Sequence, residues 1–404
     1  MALDRFFLLD RRSIPWLDGL RAIAIVLVVA QHVHDFTFGY LSGTVPFSSF
    51  DALWLKLLTG YGWSGVELFF VISGFLVGGS IIIEIHSGSF RWHIFAFKRF
   101  FRVYVPAVVF LAAYGLTKPL SIFPEGNIIS HFSTWGIHNL LLIMNYTGDG
   151  LLGHYWSLAV EEHFYITLPI VALCFAPMIR RYPLRIIGQS FLGAALIFAL
   201  FRLIVMQTLH SQRPGDYFQL SHWQFDFFAM GIALRIYYEN GTLRSAYIPA
   251  LRGVVLLLGF FATLMALSLF ASISEGNNLF VNHGINDKID GVMLFMNLVV
   301  MSMLVFLSSS STAGRILSSK WLRVVAAISF STYIVHLVVI TRTEFIYLQI
   351  ASLGQGHTIS YILALIVGLC TTLGAGLLFF IAIERPVLIF RDLLVEKWRR
   401  PLPG

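Results

Sequence analysis

Charge is what this sequence of 404 residues lacks most. Asp, Glu, Lys and Arg together make up 12% of it, about half the usual share of a soluble domain. A water-soluble fold of this length needs more polar surface than that, so two or three soluble domains are excluded. Cysteine is scarce as well. Cys174 and Cys370 both sit in apolar runs, with no CxxC or Cys/His spacing, which argues against a disulfide framework or a zinc site. They read as small buried apolar residues. GxSxG, HExxH and Walker motifs are missing, so the templates of soluble enzymes do not apply. Heptads, internal repeats and low-complexity stretches are missing too.

What the sequence has is apolar length. Apolar types make up 57% and the mean hydropathy is +0.78. A spanning helix takes about 20 largely apolar residues. Ten such segments are expected, near 16–35, 62–83, 100–116, 155–178, 186–207, 221–238, 250–271, 290–308, 324–342 and 360–383. The expected fold class is therefore an all-α polytopic membrane protein of about ten transmembrane helices. It reads as one membrane domain over 1–404, with a short basic tail from 384 and no appended soluble domain. The first span follows Arg5, Arg11 and Arg12. No small-x-small cleavage site ends it, so it reads as a retained helix, not a removed signal peptide.

The net charge of +7 and pI near 9.4 fit basic cytoplasmic loops better than nucleic-acid binding. With both termini placed in the cytoplasm, 21 of the 28 Lys and Arg residues fall on the inner side. Five fall outside (Lys56, Lys118, Arg213, Lys288 and Arg342), and Arg21 and Arg202 lie within spans. The tail after Glu384 suits anionic headgroups of the lipid bilayer.

Polar residues inside the spans carry the functional signal, because a charge at the bilayer centre costs about 2.5–3.5 kcal/mol on insertion scales. Arg21 and His32 are eleven positions apart, which returns to within about 20° of one helix face after a rise of about 16 Å. One face thus joins a basic anchor to a proton acceptor. The structural alternative is that Arg21 snorkels and pairs with Asp18, while His32 packs in the bundle. The segment HYWSLAVEEHFYITLP, 154–169, holds Trp156, Ser157, Glu161, Glu162, His163 and Tyr165. Ser157, Glu161 and Tyr165 share an i, i+4 face, whereas the adjacent Glu162 points elsewhere. A solvated entrance at the membrane interface is the alternative there.

In GVELFFVISGFLVGGS, Glu67 stands alone and suits an intramembrane arginine as ion partner. Gly74, Gly78 and Gly79 allow close helix approach. Lys98, Arg99 and Arg102 of KRFFR read either as positive-inside charge or as a phosphate clamp, for which arginine offers two-point geometry. Asp226, His336 and Glu384 are further polar points.

Taken in order, these segments resemble the acyltransferase family 3 of membrane-bound O-acyltransferases over about residues 14–390. Arg21 and His32 match the family's Arg-x10-His pair. GVELFFVISGFL, KRFFR and HYWSLAVEEHFY resemble its second-helix, basic and Trp-Ser-Leu signatures, and ISFSTYIVHLVVI and IERPV its last two helices. His163 takes the usual Gln position, Lys98 replaces an Arg, Pro106 falls one residue late, and Gln224 stands where an Arg is common.

The resemblance implies transfer of an acetyl group from cytoplasmic acetyl-CoA to a hydroxyl of a cell-envelope or exported polysaccharide, in a bacterial inner membrane. Acetyl-CoA is then the acyl donor, with no metal and no nucleic-acid partner. Lys98, Arg99, Arg102 and Arg21 would hold its phosphates. His32 would be the general base. Glu161 or Glu162 would orient His32 or bind the sugar, with Glu67, Trp156, Ser157, Tyr165 and His336 on the substrate side. Two other readings stay open: acylation of a small hydrophobic metabolite or lipid, and a proton-coupled transporter with Arg21, Glu67 and Glu161 as relay.

Overall fold

The computed structural model describes residues 6–8, 14–41, 62–117, 136–147, 152–208, 219–241, 297, 298, 300–302, 305, 312–341, 343–354 and 357–399. Helices occupy the expected spans one to six, nine and ten. The seventh expected span lies outside the described residues, as does most of the eighth.

The first helix, α1 (Pro15–Leu41), opens with a proline, whose fixed φ suits a first helical turn. It is buried on two sides. Leu17, Leu20, Ala24 and Val28 pack into the largest apolar cluster, and Ile25, Val29 and Val33 into another with Ile340. α2 follows as Ser64–Ser73, a π turn at Gly74–Gly78, and Gly79–His86. α3 has the same build: Trp92–Arg99, a π turn at Phe100–Tyr104, and Val105–Thr117. Its helix starts eight residues before the expected boundary, because the Trp92–Arg99 segment ahead of it is itself helical.

Next come α4 (Tyr155–Cys174), α5 (Ala176–Arg181), α6 (Leu184–Thr208) and α7 (Phe225–Glu239). α7 begins later than expected because Ser221–Trp223 forms a separate 3-10 turn. The C-terminal part holds α8 (Thr312–Leu317), α9 (Lys320–Ala327), α10 (Ser329–Ile340) and α11 (Thr343–Ser352). α12 runs as His357–Phe379, a π turn at Phe380–Glu384, and Arg385–Arg399. The ninth expected span is thus broken: α9 and α10 meet at 63° around Ile328.

Five described helices are long and apolar enough to cross a membrane, α1, α2, α4, α6 and α12, and six if the bent pair α9–α10 counts as one. Their outward faces carry exposed Ile166, Ile170 and Val171 on α4 and Ile197, Leu200 and Ile204 on α6. Exposed side chains this apolar, repeated at helical spacing, suit lipid and not water.

Small residues set the closest approaches. A Cβ on Gly74 would lie 2.2 Å from the carbonyl oxygen of Phe228, and one on Gly231 would lie 2.2 Å from that of Val71. The expected role of the α2 glycines in close packing is therefore met by α7. Both glycines let the two backbones touch, as small-xxx-small pairs do in membranes.

α6 and α7 are pinned by charge as well. Arg202 Nη1 donates to Asp226 Oδ1 at 3.0 Å and Nη2 lies 2.8 Å from Oδ2, with both side chains fully buried. Arg202 also donates to the carbonyl of Trp223.

Candidate active site

A cavity of about 150 Å³ lies where α1, α2, α3, α4 and α10 converge. Its polar wall is Arg21, Ser73, Arg99, Arg102, Ser157, Glu161, Tyr165, Ser329 and Tyr333, and its apolar wall includes Phe69, Phe70 and Phe330. Each polar side chain arrives by a local rule. Ser157, Glu161 and Tyr165 sit at i, i+4 and i+8 of α4 and so face inward together. Ser329, Phe330 and Tyr333 come from the first turn and a half of α10, which the break at Ile328 turns toward the cavity. Arg102 lies inside the π turn of α3.

The cavity is strongly cationic. Arg21 Nη2 donates to Ser329 Oγ at 3.2 Å, and its Nη1 lies 4.0 Å from Asp18, which also pairs with Arg323 at 3.3 Å. The guanidinium of Arg99 sits over the ring of Tyr165, 3.5 Å from its centroid. Ser73 Oγ donates to Glu161 Oε1 at 2.6 Å. Glu384, in the π turn of α12, accepts from Ser331 Oγ at 2.5 Å and feels the charge of Arg102. Three guanidiniums against one wall carboxylate leave the cavity suited to an anion. Its volume holds about five waters, so a large polyanion enters it only in part.

A second cluster lies beside the first. The rings of His32 and His336 are 5.0 Å apart, and those of His154 and His336 are 4.8 Å apart. Tyr333 joins the two clusters. Its hydroxyl is hydrogen-bonded to Ser157 Oγ on the cavity side and donates to the carbonyl of His154 at 2.5 Å. His336 Nδ1 lies 2.5 Å from the carbonyl of Tyr333 itself.

Most sequence-picked residues converge. Arg21, Arg99, Arg102, Ser157, Glu161 and Tyr165 line the cavity, and His32 and His336 form the imidazole cluster. Arg21 and His32 ride on one unbroken helix, so about 16 Å of rise separates them. Four picks stand apart. Glu67 is fully buried and accepts from Asn297 Nδ2 at 2.6 Å, near the Arg202–Asp226 pair. Trp156 stands edge-on to Phe70. Lys98 lies off the cavity wall, within reach of Glu84. Glu162 is also off that wall, with Oε1 buried and unbonded.

Sequence reading missed Asp35. Its Oδ2 lies 3.6 Å from His32 Nδ1, and Gln31 Nε2 donates to its Oδ1 at 2.7 Å. Gln31 is held in turn by the backbone N–H of Gly62, at 3.1 Å. The signal was present as His-x-x-Asp, one helical turn apart in QHVHD. Ser73, Ser329 and Tyr333 were also missed, being ordinary polar residues of apolar helices. Among the described residues, no three His, Cys, Asp or Glu side chains are placed to share a metal ion.

The chain is 26% identical to O-acetyltransferase OatA of Staphylococcus aureus (strain NCTC 8325 / PS 47) over 365 residues, which is 88% of this chain and 54% of the relative. It is 25% identical to peptidoglycan O-acetyltransferase OatA of Listeria monocytogenes serovar 1/2a over 346 residues, 83% of this chain and 50% of the relative. The chain thus spans about half the length of these curated relatives. No solved structure matches it. The family model of the acyltransferase domain, acyltransferase family 3, matches residues 14–381, nearly the whole chain. On a match of that extent, the chain belongs to the acyltransferase 3 family.

Proposed function

We propose that this protein is a membrane O-acetyltransferase that moves acetyl from acetyl-CoA to a hydroxyl of a cell-envelope glycan. The observation that carries the reading is the junction of two clusters: a cavity walled by Arg21, Arg99 and Arg102, linked through Ser157 and Tyr333 to His32, His154 and His336. The names of the relatives, one of them a peptidoglycan O-acetyltransferase, support the reaction and the class of acceptor. The excess of basic residues on one side supports cytoplasmic termini and a cytoplasmic donor, in a bacterial inner membrane.

In this reading the guanidiniums hold phosphate oxygens of the donor, and its narrow thioester end reaches toward Tyr333. His32 takes the proton of the acceptor hydroxyl as the oxygen attacks the acetyl carbonyl. The C–O ester bond forms, the C–S bond breaks, and the proton passes from His32 to the departing thiolate. Asp35 holds the imidazole ring and stabilises the charge it gains, as the carboxylate of a His–Asp pair does.

The test uses the native host. The gene is replaced by a His32→Ala version at equal membrane abundance, and O-acetyl signals of purified envelope and secreted polysaccharides are compared by NMR. Loss of a discrete acetyl ester is expected. Unchanged acetylation, together with no binding of acetyl-CoA to the purified protein, would overturn the reading.

A further inference from the structure

The imidazole cluster contains two buried nitrogens without partners. His154 is 4% exposed and His336 fully buried. His154 Nε2 lies 3.1 Å from the carbonyl oxygen of Ile334, and His336 Nδ1 lies 2.5 Å from that of Tyr333. A carbonyl only accepts, so each of these nitrogens carries a proton. The other nitrogen of each ring, His154 Nδ1 and His336 Nε2, makes no hydrogen bond. In a neutral imidazole that nitrogen is a bare lone pair. Two lone pairs left dry inside a membrane protein are costly. Native folds rarely keep such groups unless something fills the need.

The two rings are neighbours, and His336 is also the neighbour of His32. The backbone anchors hold both tautomers fixed, so both orphan nitrogens are acceptors. They therefore recognise a donor. Hydroxyl groups match them, one to each nitrogen: an O–H carries no charge to desolvate, and a sugar offers several side by side next to the base that the proposed reaction uses.

We propose that His154 Nδ1 and His336 Nε2 form a hydroxyl-recognition subsite, each accepting from an O–H of the acceptor other than the one whose proton His32 takes. The inference rests on the acetyl-transfer reading and adds to it how the acceptor's neighbouring hydroxyls are held. A lodged water offers the same O–H chemistry, and the experiment separates the two.

Two substitutions remove only the lone pairs. In His336→Asn the amide N–H takes the place of Nδ1–H toward the Tyr333 carbonyl, and Nε2 is gone. In His154→Gln the longer amide replaces Nε2–H toward Ile334, and Nδ1 is gone. Both are made in full-length protein in nanodiscs, with thermal unfolding as the control for folding. A chitooligosaccharide is the acceptor probe and acetyl-CoA the donor. Each variant is expected to raise the acceptor KM about tenfold, the worth of one good hydrogen bond. The Kd for acetyl-CoA is expected to stay unchanged.

The second readout needs no turnover. In protein labelled with 15N-histidine, the two bare nitrogens are assigned by their loss in the variants, and both shift when the oligosaccharide is added. If wild type transfers acetyl but neither the KM nor the 15N signals move, the subsite is wrong and the reaction stands. If the signals are already those of hydrogen-bonded nitrogens and the oligosaccharide leaves them unchanged, the occupant is water and the assignment to the acceptor falls. If they shift but no acetyl is transferred, the subsite stands and the reaction reading falls. If there is neither shift nor transfer, both fall.

Discussion

Arg202 and Asp226, 24 residues apart on neighbouring helices, meet in a two-point ion pair with neither side chain exposed. The pair works as a clasp between α6 and α7, with the buried carboxylate of Glu67 close by. Removing one partner strands the other charge. Asp226→Ala is expected to lower stability by about 3–5 kcal/mol, the usual cost of breaking a buried pair. Thermal unfolding in detergent would show this as a large fall in midpoint.

His32 and Asp35 should separate in a kinetic test. His32→Ala removes the proposed base and is expected to lower the rate of acetyl transfer by about 10²–10⁴. Asp35→Asn keeps the shape of the side chain and removes the charge beside Nδ1. It is expected to lower kcat with little change in the KM for either substrate. Unchanged kcat would separate Asp35 from the reaction.

The cavity arginines differ in what they offer. Arg102→Ala is expected to weaken acetyl-CoA binding about tenfold or more, since a charge-assisted hydrogen bond is worth about 1.5–3 kcal/mol, and to leave acceptor affinity alone. Arg99→Lys keeps the charge but loses the planar stack on Tyr165, so it too is expected to weaken the donor. Isothermal titration of donor and acceptor in turn checks both, and equal losses for the two ligands would count against a phosphate site.

Gly231→Ala tests the contact between α2 and α7. The new methyl would lie 2.2 Å from the Val71 carbonyl oxygen and 2.6 Å from the Phe75 backbone nitrogen. Neither atom is a flexible side-chain end, so the helices must move apart. A loss of about 1–3 kcal/mol is expected, as for other overpacked sites. An unchanged melting midpoint would mean that the two helices give way freely.

The sequence made the helical class, the spans and the polar face of α4 legible, because hydropathy and helical spacing are local properties. Arg21 and His32 could be placed on one helix by counting. Asp18, one turn before Arg21, could be placed in the same way, but partners on other helices could not. Ser73 meets Glu161 across 88 residues and Ser157 meets Tyr333 across 176, and no periodicity reports such pairings. The same holds for Glu67, which was expected to have an arginine as partner. It accepts from Asn297, with Arg202 only near enough to act through its charge. The break at Ile328 was hidden for another reason: RVVAAISFSTYIVHL has no Gly or Pro to mark it. The π turns did leave a trace. Those of α3 and α12 each end two residues before a proline, Pro106 and Pro386. A proline has no N–H to give to the carbonyl four residues back, so the ladder there is already interrupted.

Those two turns also set the phase of their helices. A π turn holds one residue more than the α turn it replaces, so everything on one side of it is rotated by about 100° relative to an unbroken helix. Arg102 and Glu384, which face one another's charge, both sit inside such a turn. Deleting one residue from either turn would restore a regular ladder and swing the basic KRFFR segment or the C-terminal helix out of register. A single-residue deletion is thus more disruptive here than most substitutions. Paired deletions, one in each turn, would ask whether the two helices keep their alignment when they are re-phased together.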